Sequence, residues 1–265
     1  ASYKPMENLT TYASIATGFR SPVANARAGA VSIVDPNDLV IPNGADSDEL
    51  INYEVGAKGT FFNGKLTSNL AAYYIIWSDI QVQANRLSDQ VQFATNIGEA
   101  VSQGIEFEVG YYPGNGFSLF VNGSINDTEI TELTPEEAAI SGAEPGLQLA
   151  MPNFQGAATA RYDFNVGEMD AFFSGTAAYV GDFPAMLPNV PGRPTVPAPT
   201  FDYTDAYTVV NLQAGLSKDN WQLTGYVENL FDDNSITYVH PESFIDARYA
   251  RQRPQTFGVR VSVDY

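Results

Sequence analysis

Apolar and polar residues alternate along most of this chain, and the pattern is cleanest near its end. There Phe257, Val259, Val261, Val263 and Tyr265 fall on one side of a strand, with Thr256, Gly258, Arg260, Ser262 and Asp264 on the other. One face is wholly apolar and the other wholly polar. The same period of two recurs upstream. Tyr53, Val55, Ala57, Gly59 and Phe61 oppose Glu54, Gly56, Lys58 and Thr60, and Ile105, Phe107, Val109 and Tyr111 oppose Glu106, Glu108 and Gly110. Leu66, Leu70, Ala72, Tyr74 and Ile76 share one face of residues 65–77. Further strands are predicted over residues 9–19, 117–126, 152–164, 169–181, 206–216 and 221–230, about ten in all. Residues 1–4 read as the tail of another strand, so the numbering is expected to begin partway through a structure.

The connections fall into two classes. Short ones carry turn chemistry: Asn63-Gly64 supplies positive φ angles for a two-residue hairpin, and Pro113 to Gly116, Asn165 to Glu168 and Ser217 to Asn220 close the others. Between them lie long polar segments: up to Asp48, from Ser78 to about Ala100, after Asn126, through the prolines from Pro184 to Pro199, and from Phe231 to Gln252. Val91 to Ile97 is expected to extend strands beyond a membrane. Thr134-Pro135-Glu136-Glu137 is a capping box with proline at the first helical position, which predicts one short helix ending near Gly142. The proline-rich segment cannot be a central strand and reads as an extended surface loop. Short turns on one side and long loops on the other, with strands of about ten residues, are the asymmetry of an outer-membrane barrel. The predicted fold is therefore all-β, a transmembrane antiparallel up-and-down β-barrel, with residues 1–265 forming a single domain.

Composition then removes other classes. The chain has no cysteine and one histidine, His240, which excludes disulfides, thiol catalysis and multi-histidine zinc sites. A net charge of -18 argues against a nucleic-acid partner. The mean hydropathy of -0.15 says little, because alternation hides an apolar band within an average. No apolar run reaches the ~18 residues of a membrane helix. Ala1 to Met6 lacks the basic start and apolar centre of a signal peptide, as expected of a mature protein or an internal fragment.

Several stretches resemble the TonB-dependent receptors of the bacterial outer membrane. They are Thr17-Gly18-Phe19-Arg20-Ser21-Pro22, Asn52 to Gly59, Asn96 to Ala100 running on to Gly104 to Glu108, Tyr226 to Asp232, and Arg253 to Tyr265. Their order and spacing over nearly the whole chain carry the resemblance. It implies a barrel of about 22 strands around an N-terminal plug. Ten of those strands would be its C-terminal part, with the plug and the TonB-engaging segment absent from this sequence. It also implies outer-membrane lipid, the TonB complex and a small ligand such as a ferric siderophore as partners, with active uptake as the function. A passive pore or small complete barrel, and an outer-membrane hydrolase, are the alternative readings.

No catalytic, cofactor or metal site is expected. His240 with Asp246 is the one acid–base pair to consider, and a lone loop histidine is usually solvated. Arg248, Tyr249, Arg251 and Arg253 form the densest basic cluster; Arg248, Tyr249 and Arg251 are the candidate substrate-binding residues, or else the cluster pairs with lumen carboxylates such as Glu228 or with plug residues. The carboxylates Asp35, Asp38, Asp46, Asp48, Glu132, Glu136 and Glu137 lack the spacing of a calcium loop and are expected on a solvated surface. Tyr73, Tyr74, Trp77, Tyr111, Tyr112, Tyr179 and Trp221 are expected in interfacial girdles. Asn229 and Asp232 are expected to shape the exit from a strand.

Overall fold

The computed structural model describes all 265 residues except 87, 185–187, 191–192, 199–200, 241–247 and 265. The chain begins with β1 (Ser2–Met6), β2 (Leu9–Arg20), β3 (Val23–Ala24), β4 (Gly44–Ala45) and β5 (Asp48–Phe61). Next come β6 (Leu66–Asn85), β7 (Gln92–Tyr111), β8 (Phe117–Glu132), helix α1 (Pro135–Ser141), β9 (Phe154–Val166) and β10 (Met169–Val180). Last are β11 (Asn189–Val190), β12 (Arg193–Pro197), β13 (Tyr207–Lys218), β14 (Trp221–Glu228), β15 (Ile236–His240), β16 (Arg248–Arg251) and β17 (Thr256–Val263).

Eleven strands form one antiparallel sheet in the order β1-β2-β5-β6-β7-β8-β9-β10-β13-β14-β17. Each long strand pairs with its neighbours in sequence, the up-and-down pattern that hairpin turns produce. The sheet does not close on itself: β1 and β17 are its two edges. Short hairpins β3–β4, β11–β12 and β15–β16 decorate the long-loop end and had no counterpart in the alternation pattern.

Register fixes which residues share a face. Tyr53 lies opposite Ile15 and Tyr74, Leu70 opposite Phe107, Ile105 opposite Ile125, and Leu223 opposite Val261. This outward face leaves Ile15 71 %, Phe257 80 % and Val259 70 % exposed, a distribution stable only against hydrocarbon. From Leu66 to Tyr74 the face runs about 27 Å along the strand, or about 20 Å in height at a tilt of ~40°. One pair beyond Ile105 and Ile125 it turns polar, where the Gln103 amide donates to Asp127 at 3.1 Å. Aromatic pairs mark the borders: Phe154 with Tyr179, 5.6 Å between centroids, at the long-loop side, and Tyr162 with Phe164, 5.7 Å apart, towards the short turns.

The buried core lies elsewhere. Among the described residues, every buried hydrophobic side chain apart from Ala171 lies at or beyond the long-loop ends of the strands. One cluster joins Ile80, Ile97, Ala100, Ile130 and Ala143, and a second joins Ile41, Ala84 and Phe93, with Ile140 of α1 packed on it. Together they form a tower built on the extended β6–β7 hairpin.

The structure refines several sequence expectations. Residues 78–100 are mostly strand, because β6 and β7 run on past the apolar band to a tip at residues 86–91. The turn after β5 spans four residues, with φ of 53° at Phe62, 56° at Asn63 and 87° at Gly64. The short helix forms as the capping box predicts: Thr134 Oγ1 accepts from Glu137 N at 3.2 Å, and Gly142 caps the far end at φ 75°. Asn229 and Asp232 do shape the exit from β14: the Asn229 amide donates to the carbonyls of Asp233 and Arg253, both at 2.8 Å. Asp232 accepts from Gln255 N at 2.8 Å.

Candidate functional site

The face opposite the apolar band is the lumen wall, and its polar positions come from the other half of each alternation. Lys58, Asn69, Glu108 and Asn122 lie in one row across β5 to β8, and Glu106 and Ser124 lie in the next. Tyr12 donates its hydroxyl to Glu54 at 2.6 Å while the Lys58 ammonium sits 5.5 Å from the same ring. Asn69 donates to Glu108 at 2.9 Å. These side chains line an open recess of about 640 Å³ in which three carboxylates, Glu54, Glu106 and Glu108, face one ammonium. Nearer the C-terminal strands, Arg161 lies 3.9 Å from the Phe172 ring and pairs with Asp163, and Arg260 lies 5.8 Å from the Tyr226 ring. Such a wall offers hydrogen-bonding groups and net negative charge to whatever faces it across the lumen.

At the long-loop end of the wall sits a second constellation. Asp48, at the start of β5, is 2 % exposed, so its charge must be matched by donors. Arg20 supplies its backbone N–H at 2.9 Å, Nε at 2.6 Å and Nη2, and the Trp77 indole N–H adds a bond of 3.0 Å. The Arg20 guanidinium also lies 4.9 Å from the Trp77 ring. Trp77 is therefore a lumen-side residue packed beneath the tower and not a girdle residue. Tyr73 likewise faces inward, bonded to Asn126. Adjacent residues of a strand point to opposite faces, so Tyr73 and Tyr74 cannot both meet lipid. Tyr74, Tyr111, Tyr179 and Trp221 do fall on the outward face.

Above the wall, Arg86 at the hairpin tip is 3 % exposed. It donates to the carbonyls of Ala30 at 2.6 Å and Leu39 at 2.9 Å, and to both oxygens of Asp89 at 2.9 and 2.7 Å. The Asp89 hydrogen bonds raise the Arg86 pKa, and the Arg86 hydrogen bonds lower that of Asp89. Asp38 is also lowered: burial opposes the charge, but Ser88, the Leu39 and Ser88 N–H groups and the Arg86 cation outweigh it. Asp38 and Asp48 are thus committed structural acids, contrary to the solvated role expected of them. Among the described residues, no group of three or more His, Cys, Asp or Glu side chains is arranged to hold a metal.

The basic cluster expected to bind substrate lies on β16, which pairs with β15 outside the main sheet. Arg248, Tyr249 and Arg251 are all exposed. Strand geometry places Tyr249 and Arg251 on one face and Arg248 on the other. Tyr249 donates to Asp202 at 3.1 Å, which ties the loops after β10 and β14 together, and Arg251 donates to the Asn234 carbonyl at 2.8 Å within the loop after β14. His240 ends β15, while Asp246 and Tyr265 lie outside the described residues. Sequence reasoning placed Trp77 in a girdle, read Arg20 only within a family-like stretch, and passed over Arg86. Only the Arg86-to-Asp89 spacing of three hinted at any of them.

Residues 1–230 match the family model for the β-barrel of TonB-dependent-receptor-like proteins. Among solved structures, the ferric yersiniabactin uptake receptor FyuA from Yersinia pestis superposes with a TM-score of 0.73 at 18 % identity, over 100 % of this chain and 36 % of that one. The ferric-catecholate import receptor Fiu from K12 E. coli gives 0.70 at 16 % identity, over 99 % of this chain and 34 % of that one. P. aeruginosa FpvA, bound to heterologous pyoverdines, gives 0.68 at 18 % identity, over 100 % and 32 %. At these identities the superpositions establish the fold, and the chain spans about a third of the length of these receptors. An antiparallel wall, apolar outside and polar inside, with short turns at one end and long loops at the other, is the architecture that the family match specifies. The chain belongs to the TonB-dependent receptors of the bacterial outer membrane and forms part of their β-barrel wall.

Proposed function

We propose that this chain is the C-terminal part of the barrel of a receptor that imports a scarce nutrient, most specifically a ferric siderophore, with energy supplied through TonB. The observation that carries this reading is the family match over residues 1–230 on a wall whose inner face is polar and whose sheet is left open at both edges. Siderophore receptors among the fold neighbours support the ligand class. The parent receptor would hold its plug against the polar lumen wall and engage TonB through that plug, so both belong to the longer protein. Arg248, Tyr249 and Arg251 supply ligand contacts in this reading. Exposed guanidinium groups attract an anionic chelate, and the tyrosine ring adds an aromatic surface beside Arg251.

The test uses the whole receptor in iron-starved cells with and without TonB. Uptake of radioiron loaded on siderophores is expected only where TonB is present. Arg248→Ala with Arg251→Ala is expected to weaken ligand binding by about tenfold or more, as loss of charged hydrogen bonds does. Conductance across planar bilayers with equal uptake in the absence of TonB would instead establish a passive pore. Hydrolysis of an added ester or peptide, abolished by His240→Ala, would establish an enzyme.

A further inference from the structure

The connection between β2 and β5 is held at three places. At its start the Asn25 side chain completes the edge of β7, donating to the Ala94 carbonyl at 2.8 Å and accepting from Ala94 N at 2.7 Å. At its end Asp46 N donates to Asn96 Oδ1 at 2.6 Å and the Asn96 amide returns a bond of 3.0 Å to the Asp46 carbonyl. Between these anchors, among the described residues, the polar attachment is to the hairpin tip, while Ile41 packs on Ala84 and Phe93 with Ile140 of α1 beside them. Arg86 reaches the carbonyls of Ala30 and Leu39, Ser32 Oγ meets Ser88 Oγ at 2.7 Å, and Asp38 accepts from Ser88 N at 2.8 Å.

We propose that residues 28–41 form a strap that lifts from the hairpin tip and re-docks as one unit, with Arg86 as its bolt and Asn25 and Asp46 as its fixed ends. Three observations carry this. The strap keeps its own shape: Gly29 N donates to the Ile41 carbonyl at 2.8 Å, Ile41 N to Ala30 at 3.3 Å, and Ser32 Oγ accepts from Val34 N and Asp35 N, both at 3.1 Å. It is held on one side only, since Ile33 is 95 % and Val34 65 % exposed on the other. Its fastening is concentrated, because one guanidinium commits four of its five N–H groups to the strap and to Asp89. Beneath lies an apolar floor of Ala84 and Phe93, shared with Ile41 and Ile140. The strap therefore decides whether that floor faces the mouth of the barrel or stays covered.

Hydrogen exchange read by mass spectrometry on the whole receptor in outer-membrane vesicles tests this. Arg86→Gln is expected to speed exchange in peptides covering 28–41 by about tenfold or more. Exchange in β5 and in the membrane part of β6 should stay unchanged. Adding Ser32→Cys with Ser88→Cys should restore protection when oxidised, since residues 1–265 contain no competing cysteine. Unchanged exchange in Arg86→Gln would overturn the proposal, as would loss spreading through β5 to β8. If Arg86→Gln does not assemble, the cysteine pair in the native background carries the test. Oxidation must then slow exchange across 28–41 as a block, and slowing confined to the residues flanking the bridge would overturn the strap.

Discussion

The barrel wall and the loop tower use the same strands and bury opposite things. Along the lower parts of β5 to β8, Val55, Leu70 and Ile105 face outward at 57 %, 52 % and 45 % exposure, while carboxylates and amides line the inside. Further along the same β6 and β7, Ile80, Phe93 and Ile97 are 5 % or less exposed, covered by the 21–47 connection and the segment around α1. The difference is the solvent. Lipid accepts an apolar face at no cost, so the wall needs no covering layer, whereas water beyond the girdle forces the tower to build its own. The wall is stabilised by its surroundings and the tower by its own packing.

The largest test of that division is Phe93→Ala. The ring is 2 % exposed between Ile41 and Ala84, and such a truncation removes about 3–5 kcal/mol. The loss should appear as faster exchange in residues 28–41 and 80–97 of the whole receptor, with the lower strands still protected. Equal loss in β9 and β10 would mean that wall and tower unfold together, and the comparison would fail. Next is a matched pair of exposed apolar residues. Leu70→Arg, in mid-band, should cost about 2–4 kcal/mol of folding stability in bilayers, whereas Ile33→Arg should stay within about 0.5 kcal/mol. Equal effects in urea titrations would show that the outward face of β6 does not meet hydrocarbon.

The same division decides what could be read from sequence. The wall was legible because lipid on one side and a wet lumen on the other impose strict alternation, and Asn63-Gly64 and Pro113 to Gly116 mark the turns. Helix α1 was legible from its capping box, a local signal. The continuation of β7 was anticipated over Val91 to Ile97, but that of β6 was hidden where Asp79 adopts φ 54° and breaks the alternation, and where Gln81 and Gln83 interrupt the apolar pattern. The tower's fastenings were illegible because they are long-range: Arg86 meets carbonyls 56 and 47 residues away, and Arg20 meets Asp48 across 28. Apart from Asp89, three residues from Arg86, nothing near those residues in sequence specifies their partners. The basic cluster on β16 was legible as composition, but its two faces emerge only once β15 pairs with it.

The smallest effect near neutral pH sharpens the comparison through titration. Asp38 and Asp89 both sit below the ordinary carboxylate range of about 4, so the folded tower holds them ionised where an unfolded loop would begin to take up protons. Their contribution is complete above that range and is lost as pH falls through their lowered values. Arg86 stays charged throughout and loses its partners when the acids protonate. Between pH 5 and pH 8 the tower should show no pH dependence. Below about pH 4, exchange in residues 28–41 and 86–91, corrected for its intrinsic rate, should accelerate while the wall strands hold. Asp38→Asn with Asp89→Asn should begin with the weakened tower at pH 7 and show a flat profile. An acid transition of unchanged size in that double variant would assign the proton uptake to other groups, and the tower's dependence on its own charge network would have to be abandoned.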